Sequence, residues 1–411
     1  MNSYPMISPE EALCIVLEHT PLLGTEAIGL GEALGRVLAE EVIATDDIPP
    51  FLASAKDGFA LIAADGSVWR RIIGEQMAGP TTGVVVEPGT AVRIMTGAPL
   101  PQGADAVAMV EHTEELKGSV RLLRPVQPGQ DARPVGQDLA AGEQVLTSGA
   151  PLGPAEIGLL ASVGRTRVRV HRLPRVAVLT TGDELVEPDQ PLGPGLIHNS
   201  NRYALLAAAS WAGADVVWSG HARDDEGDLH LLMTKALQEA NVLLTSGGVS
   251  MGRRDLVKPL LEEMGRVHFG RVAQKPGKPL TFATVGEKLI FGLPGFPVSS
   301  LVSFELYIRP ALRKMQGHTR LQRPRSEVVL AHPIHHQPDR TEFQRAIITR
   351  QRGAYWAKTT GLQVSGRLRS LVGANALLVL PAGRADFHRG DAVTAILLDR
   401  PEAEGGSSAI R

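Results

Sequence analysis

The densest chemistry in the chain lies in Thr245-Ser246-Gly247-Gly248-Val249-Ser250-Met251-Gly252-Arg253-Arg254-Asp255, directly behind the apolar run 242–244. Such a run has the pattern of a strand buried on both faces, and 256–264 has the pattern of the next helix. A glycine-rich turn between strand and helix presents backbone N–H groups at the carboxyl edge of a sheet. Gly247 and Gly248 let that backbone approach a ligand closely or take positive φ. Ser246 and Ser250 add hydroxyl donors, Arg253 and Arg254 add positive charge, and Asp255 is a carboxylate suited to general-base or metal-ligand work. The stretch reads as a cradle for an anionic, phosphate-bearing ligand; an ordinary turn is the plain alternative.

Three further loops carry functional groups. Lys275 and Lys278 flank Pro276-Gly277, so two ammonium groups are held near one point, as a dianion requires; two solvated surface lysines are the alternative. Asp183 and Glu184 follow Gly182. A carboxylate beside bound phosphate implies Mg²⁺, which bridges carboxylate and phosphate oxygens, although a helix-capping acid has the same sequence. Pro294 and Pro297 read as rigid elements of the turn 294–300, which also carries Ser299. All four loops are expected on one edge of one sheet, where they would form a single pocket of hydroxyls, carboxylates and cations.

The elements that must hold these loops alternate between strand and helix from residue 173 onward. Strands are expected at 175–179, 215–218, 242–244, 267–272 and 289–293. Helices are expected at 201–212, 225–240, 256–264 and 298–315, the last kinked at Pro310. This is a three-layer α/β pattern with a mostly parallel sheet. Ser8, Pro9 and Glu11 start a helix whose residues Leu13, Val16 and Leu17 share a face. A second helix is expected at 31–39 with Leu34, Val37 and Leu38 inward. Short β-type runs at 91–95, 106–110 and 120–123, broken by Gly and Pro, form a small inserted β domain. A helix at 155–161 and a strand at 166–171 complete a linking module, and strands at 326–330, 343–349, 376–380 and 392–398 form a C-terminal β domain. The expected division is 1–22 with 172–318 for the α/β domain, 23–44 with 141–171 for the linking module, 45–140 for the inserted domain and 319–411 for the last.

Composition narrows the function. The chain has 411 residues, a net charge of −2 and 4% aromatics, with no basic stripe, so nucleic-acid binding is excluded as an expectation. No apolar run reaches the length of a membrane span and no signal peptide is evident, which implies a cytoplasmic protein without a membrane partner. The single cysteine, Cys14, rules out an intrachain disulfide and is expected in the core. His335-His336 lacks a third metal ligand and reads as a surface pair. There is no nucleophile elbow, Walker loop or Gly-x-Gly-x-x-Gly.

With these loops in hand, the chain resembles the molybdopterin molybdenumtransferase family, including the bacterial enzymes and the gephyrin C-terminal domain. The resemblance covers nearly the whole chain. It is carried by Ser54-Ala55-Lys56-Asp57-Gly58-Phe59-Ala60, residues 93–105, Thr181-Gly182-Asp183-Glu184-Leu185, residues 246–255, 275–279 and 292–300, and Ser365 through Gly373-Ala374-Asn375. It implies insertion of molybdate into adenylyl-molybdopterin with release of AMP, aided by Mg²⁺, in a homodimer whose active site is shared between subunits. It also implies a four-domain fold whose last domain is β-barrel-like. By motif, Asp57, Thr96 and Asp138 would reach across the dimer. Glu184 and Asp255 would line the pocket and, with Asp57, serve catalysis and hold the metal. Lys275, Lys278 and Ser299 would hold anionic groups, and Arg345 and Ser365 would contact molybdate. A molybdopterin adenylyltransferase and molybdoenzymes are the implied partners. The sequence departs from the family pattern at Lys56 (usually Met), Phe59 (usually Tyr), Phe296 (usually Asn), Asn199 (usually Asp), and Arg253 and Arg254 (often acidic or mixed). The rival readings are a non-catalytic binder or carrier of the finished cofactor, an adenylyltransferase acting one step earlier, and a tungstate-inserting paralogue.

Overall fold

The computed structural model describes residues 4–248, 256–351, 353–399 and 402–403. Two compact units make up the chain: 1–26 with 171–411, and 27–170.

The first unit holds a six-stranded sheet in the order Asp215–Ala222, Arg175–Thr181, Val242–Ser246, Lys288–Leu293, Thr281–Val285, Arg266–Phe269. The first four strands are mutually parallel, and Thr281–Val285 runs antiparallel to both of its neighbours. Alternate residues feed two cores, as the two-residue strand period demands. Val176, Val178, Val242, Leu244 and Phe291 face the helices Pro9–Glu18, Ser200–Trp211 and the long C-terminal helix. Ala177, Leu179, Leu243 and Ile290 face Glu226–Glu239 and Val257–Met264. The result is a three-layer α/β domain.

The rest of this unit is a closed barrel. Thr341–Gln351, Ala354–Thr359, Arg325–Leu330, Ala392–Leu397 and Ala376–Leu380 pair in turn, and the last closes onto the first. Closure leaves no hydrogen-bonding edge within the ring. Two short strands join Thr341–Gln351 in parallel from outside: Glu402–Ala403 at its far end, and Gln274–Lys275, with Gln274 opposite Thr341 and Lys275 opposite Glu342. The lysine loop therefore does not follow a strand of the α/β sheet. The expected strand at 267–272 ends at Phe269, and the chain crosses to the barrel before the lysines.

Residues 27–170 contain a six-stranded sheet in the order Ala106–Met109, Gly58–Leu61, Thr90–Ile94, Trp69–Gln76, Ser119–Leu122, Thr113–Leu116. Phe59, Leu61, Ala91, Ala108 and Val120 form its core. A separate core joins Ile28, Leu38 and Val42 to Leu152, Leu160 and Val168, so residues far apart in sequence fold as one module.

Four expectations need correction. Residues 31–39 do not form a helix: only Leu30–Glu32 makes a 3₁₀ turn, Gly35 takes φ +78°, and Leu34 is exposed. The amides that a helix would use bond across the module instead, Leu38 to the Ala150 carbonyl and Ala39 to that of Arg169. Cys14 is exposed, because Ala12 and Val16, four apart, define the buried face and Cys14 lies on the other. The irregularity in the long helix falls at Phe304–Ile308, a π turn, and Pro310 sits in the first turn of Arg309–Met315. The widened turn contains Leu306, the residue whose carbonyl Pro310 can neither bond nor approach. Of the histidine pair, His335 is exposed but His336 is buried.

Gly58 is fixed by close approach: a Cβ there would lie 1.9 Å from the Ala108 carbonyl oxygen on the neighbouring strand. Gly58→Ala is expected to destabilise the protein by ~1–3 kcal/mol, read as a lowered midpoint of denaturant unfolding.

Candidate functional site

A cavity of about 1440 Å³ opens between the carboxyl edge of the α/β sheet and the barrel wall. Gly182, Ser246, Gly247, Gly248, Lys275, Gly277, Lys278, Pro294, Gly295, Pro297 and Ser299 all line it, so the four loops do meet at one place. Register explains why three of them do. Thr180 lies opposite Ser246 and Ser246 opposite Leu293, so these parallel strands end level and release their loops side by side.

Each loop is held by specific contacts. Gly247 takes φ +99°, and a Cβ there would lie 2.3 Å from the Thr181 carbonyl oxygen; at Gly248, φ +65°, it would press on Val257 and Thr181. The Asn201 amide donates to Ser246 Oγ at 2.8 Å and to the Gly295 carbonyl at 2.7 Å, tying two loops together. Ser300 Oγ donates to the Pro294 carbonyl at 2.6 Å, and Pro297 opens the helix Pro297–Ser303. Phe296 occupies the N-cap without a side-chain hydrogen bond and stands exposed at the cavity. In the lysine loop, the buried Gln274 Nε2 donates to the Pro276 carbonyl at 3.1 Å, and Tyr307 OH donates to Gln274 Oε1. A Cβ on Gly277 would strike Gln274 at 2.6 Å, so only glycine fits.

Acidic groups line the same cavity. Glu184 folds back over Gly182, its Oε2 2.5 Å from where a Cβ would stand, and Gly182 takes φ +146°. Asp224 also lines the wall and accepts from Thr181 Oγ1 at 3.0 Å. Asp183 turns aside; its carboxylate accepts from the Asp224 amide at 3.2 Å. Asn199 caps Ser200–Trp211 by accepting from the Arg202 amide, and it donates to Thr180 Oγ1 at 2.7 Å. Ser250, Arg253, Arg254 and Asp255 lie outside the described residues.

The barrel supplies the opposite wall. Ser365 lines it, and its carbonyl accepts from the Val298 amide at 3.1 Å, joining this loop to the helix start. Arg345 does not reach the cavity. It is fully buried, with Nε donating to Ser370 Oγ at 3.1 Å and Nη2 to the Val364 carbonyl at 3.4 Å. Burial lowers its pKa to about 10, opposed by the charge of Glu342. Sequence reasoning passed over Gln274, Asp224, His332, Arg340, Glu342 and Gln344, all in the wall. Glu342 and Gln344 had a signal: polar residues two apart at the start of an otherwise apolar strand share a face.

In the other unit, Asp57 and Thr96 meet directly. Ser54 bonds Ala98 and Gly97 through its backbone, which brings the two loops side by side. Asp57 Oδ1 then accepts from the Thr96 amide and from Thr96 Oγ1, both at 2.7 Å. The backbone donor first, and the hydroxyl second, hold the Asp57 carboxyl below the usual range. Asp138 pairs with Arg133 on the strand Ala132–Arg133, which pairs with Ala53–Ser54 just ahead of the Asp57 loop.

The fold and this cavity define a multidomain protein with a three-layer α/β domain whose level strand ends open on a cavity that a β-barrel bounds on the far side. Comparison with known proteins gives the particular family. Residues 7–164 match the MoeA N-terminal region (domains I and II), 177–314 a probable molybdopterin-binding domain, and 327–398 the MoeA C-terminal region (domain IV). The chain is similar to the molybdopterin molybdenumtransferase of Haemophilus influenzae, 34% identical over 95% of this chain and 98% of that protein. It is also similar to that of Bacillus subtilis, 35% identical over 91% and 90%. Gephyrin of Dictyostelium discoideum is 37% identical over 97% of this chain, which spans 63% of gephyrin's length. The crystal structure of the molybdopterin biosynthesis MoeA protein from Pyrococcus horikoshii OT3 superposes with a TM-score of 0.81 at 31% identity, covering 96% of this chain and all of that one. The chain belongs to the molybdopterin molybdenumtransferase family.

Two outcomes follow from the geometry. Thr96→Val removes the hydroxyl donor and keeps the amide, so the Asp57 titration midpoint is expected to rise part of the way toward an ordinary carboxylate, read by NMR titration. The sign follows from the depressed carboxyl: ionised Asp57 favours the folded state above the ordinary range, and that contribution fades as pH falls through its lowered midpoint. Gly247→Ala is expected to push the loop off the Thr181 carbonyl and weaken anion binding at least tenfold by calorimetry.

Proposed function

We propose that this chain inserts molybdate into adenylyl-molybdopterin and releases AMP. The observation that carries the proposal is the single cavity in which Lys275, Lys278 and Ser299 stand with Glu184 and the Ser246-Gly247-Gly248 turn. The two lysines suit an oxyanion and a phosphoanhydride, the glycines let such a ligand approach the backbone closely, and the carboxylate suits the incoming oxygen. Water supplies the incoming oxygen: it bonds to one phosphorus, and the bond from that phosphorus to the bridging oxygen breaks. The bridging oxygen leaves on the other phosphate, and the protons of the water pass to solvent. The molybdate forms two bonds to the sulfurs of the pterin dithiol and gives up one oxygen, which leaves as water with the two thiol protons. Glu184 orients the attacking water oxygen and accepts its hydrogen bond, and the lysines hold the charge that accumulates on the departing phosphate.

Among the described residues no cluster of three metal-binding side chains forms. The carboxylate of Glu184, at the cavity with the two lysines, is the sparse donor set that Mg²⁺ accepts, since the ion is held by one or two carboxylates together with substrate phosphates and water. Glu184 and Asp255, with Asp57 of a second copy, would hold it. When bound, Mg²⁺ neutralises charge on the phosphate oxygens.

Asp57 is exposed and preorganised by Thr96, with its carboxylate turned to solvent in its own unit. In a homodimer, Asp57, Thr96 and Asp138 of a second copy would complete each site. No helix among the described residues is long and apolar enough to cross a membrane. The protein is proposed to work in the cytoplasm, between a molybdopterin adenylyltransferase and the molybdoenzymes that receive the product.

AMP release from adenylyl-molybdopterin, titrated with molybdate and tungstate in parallel, tests the reaction and the choice of oxyanion. Glu184→Gln and Asp57→Ala are each expected to lower turnover by about 10²–10⁴; full turnover in either variant removes that residue from the mechanism, and binding without AMP release makes the chain a carrier. Mixing the two inactive variants in equal amounts tests the shared site. Half the dimers would then be hybrids with one intact site each, restoring about a quarter of wild-type activity.

A further inference from the structure

Glu342 is an ionisable group at the cavity that the proposed reaction does not use. Its side chain is 2% exposed, while that of its partner Lys275 is 41% exposed, and Lys275 Nζ lies 3.1 Å from Glu342 Oε1. The pairing is built into the backbone, because Lys275 and Glu342 are register partners across the short parallel pair that joins the lysine loop to the barrel. Behind the carboxylate, Oε2 makes no hydrogen bond, and the fully buried His336 faces it with Nδ1 at 3.5 Å. A buried carboxylate in such surroundings is costly unless a cation satisfies it. Among the described lysines and arginines, Lys275 is the one within ion-pair reach, and it also lines the cavity.

We infer that Glu342 is a positioning residue: it aims the Lys275 ammonium at the cavity and competes with the incoming oxyanion for it. The inference rests on the proposed reaction for its turnover arm only; its binding arm needs no more than an oxyanion in the cavity. Two opposite effects follow. Holding the ammonium in place serves the reacting geometry, whereas neutralising it weakens ground-state attraction for the anion. A merely structural role would move binding and turnover together.

The test is Glu342→Gln in the full-length protein, with molybdate binding followed by calorimetry and AMP release followed separately. The amide keeps the shape and removes the charge. Molybdate is expected to bind several-fold more tightly, with a steeper salt dependence, while kcat falls about tenfold. In a Lys275→Met background the same substitution is expected to change neither quantity. Unchanged or weaker molybdate binding in E342Q overturns the inference, and so does an effect that survives in the K275M background, since it would then run through Arg345 or the fold. If E342Q does not fold, Glu342→Asp replaces it: the charge remains but is drawn back by one methylene. It is expected to lower kcat with the molybdate Kd unchanged, and wild-type kinetics in E342D would overturn the inference. Absence of AMP release from the wild-type protein, with these binding shifts present, would sink the proposed reaction and leave the role of Glu342 standing.

Discussion

The site depends on the fact that three parallel strands end level. Thr181, Ser246 and Leu293 finish side by side, and their loops then crowd so closely that the Gly247 backbone lies against the Thr181 carbonyl. That approach leaves no room for a side chain, and the turn is locked further by the Gly247 amide, which donates to the Leu293 carbonyl. The chemistry at the lip thus comes from the sheet's register first and from residue type second. Asn201 reinforces it by donating to two of the loops from one amide.

Charge is distributed around this lip by different parts of the fold. The α/β domain contributes Glu184 and Asp224, the crossing strand and the loop after it contribute Lys275 and Lys278, and the barrel segment contributes Arg340 and Glu342. The cavity that these groups line is far larger than a single oxyanion. In the other unit, Asp57 is arranged by the same device on a smaller scale. Two loops are zipped together through Ser54, and the carboxylate is fixed by a backbone donor and a hydroxyl on one residue.

Much of this was legible in the sequence where a local rule governs. Apolar runs gave the buried strands, glycine-rich turns gave the loops, and Ser8 caps the first helix as its spacing to Pro9 and Glu11 requires. What was not legible was decided by partners distant in the chain. Residues 31–39 have helical spacing, but their amides are claimed by segments near 150 and 169. The lysine loop looked like a strand-end loop of the sheet, yet its strand is captured by the barrel. Arg345 looked like a ligand contact and is instead buried among Ser370 and Val364. Glu342 was invisible as a site residue because its importance comes from a cross-strand neighbour 67 positions earlier in the numbering.

The strand Gln274–Lys275 belongs to the α/β segment by chain order and to the barrel by hydrogen bonding. It works as a tether with a charge on its end. Any tilt of the barrel would drag an ammonium group through the cavity and redraw the electric field felt by whatever is bound there. Any such movement would thus be felt in the cavity as a change of electrostatic potential.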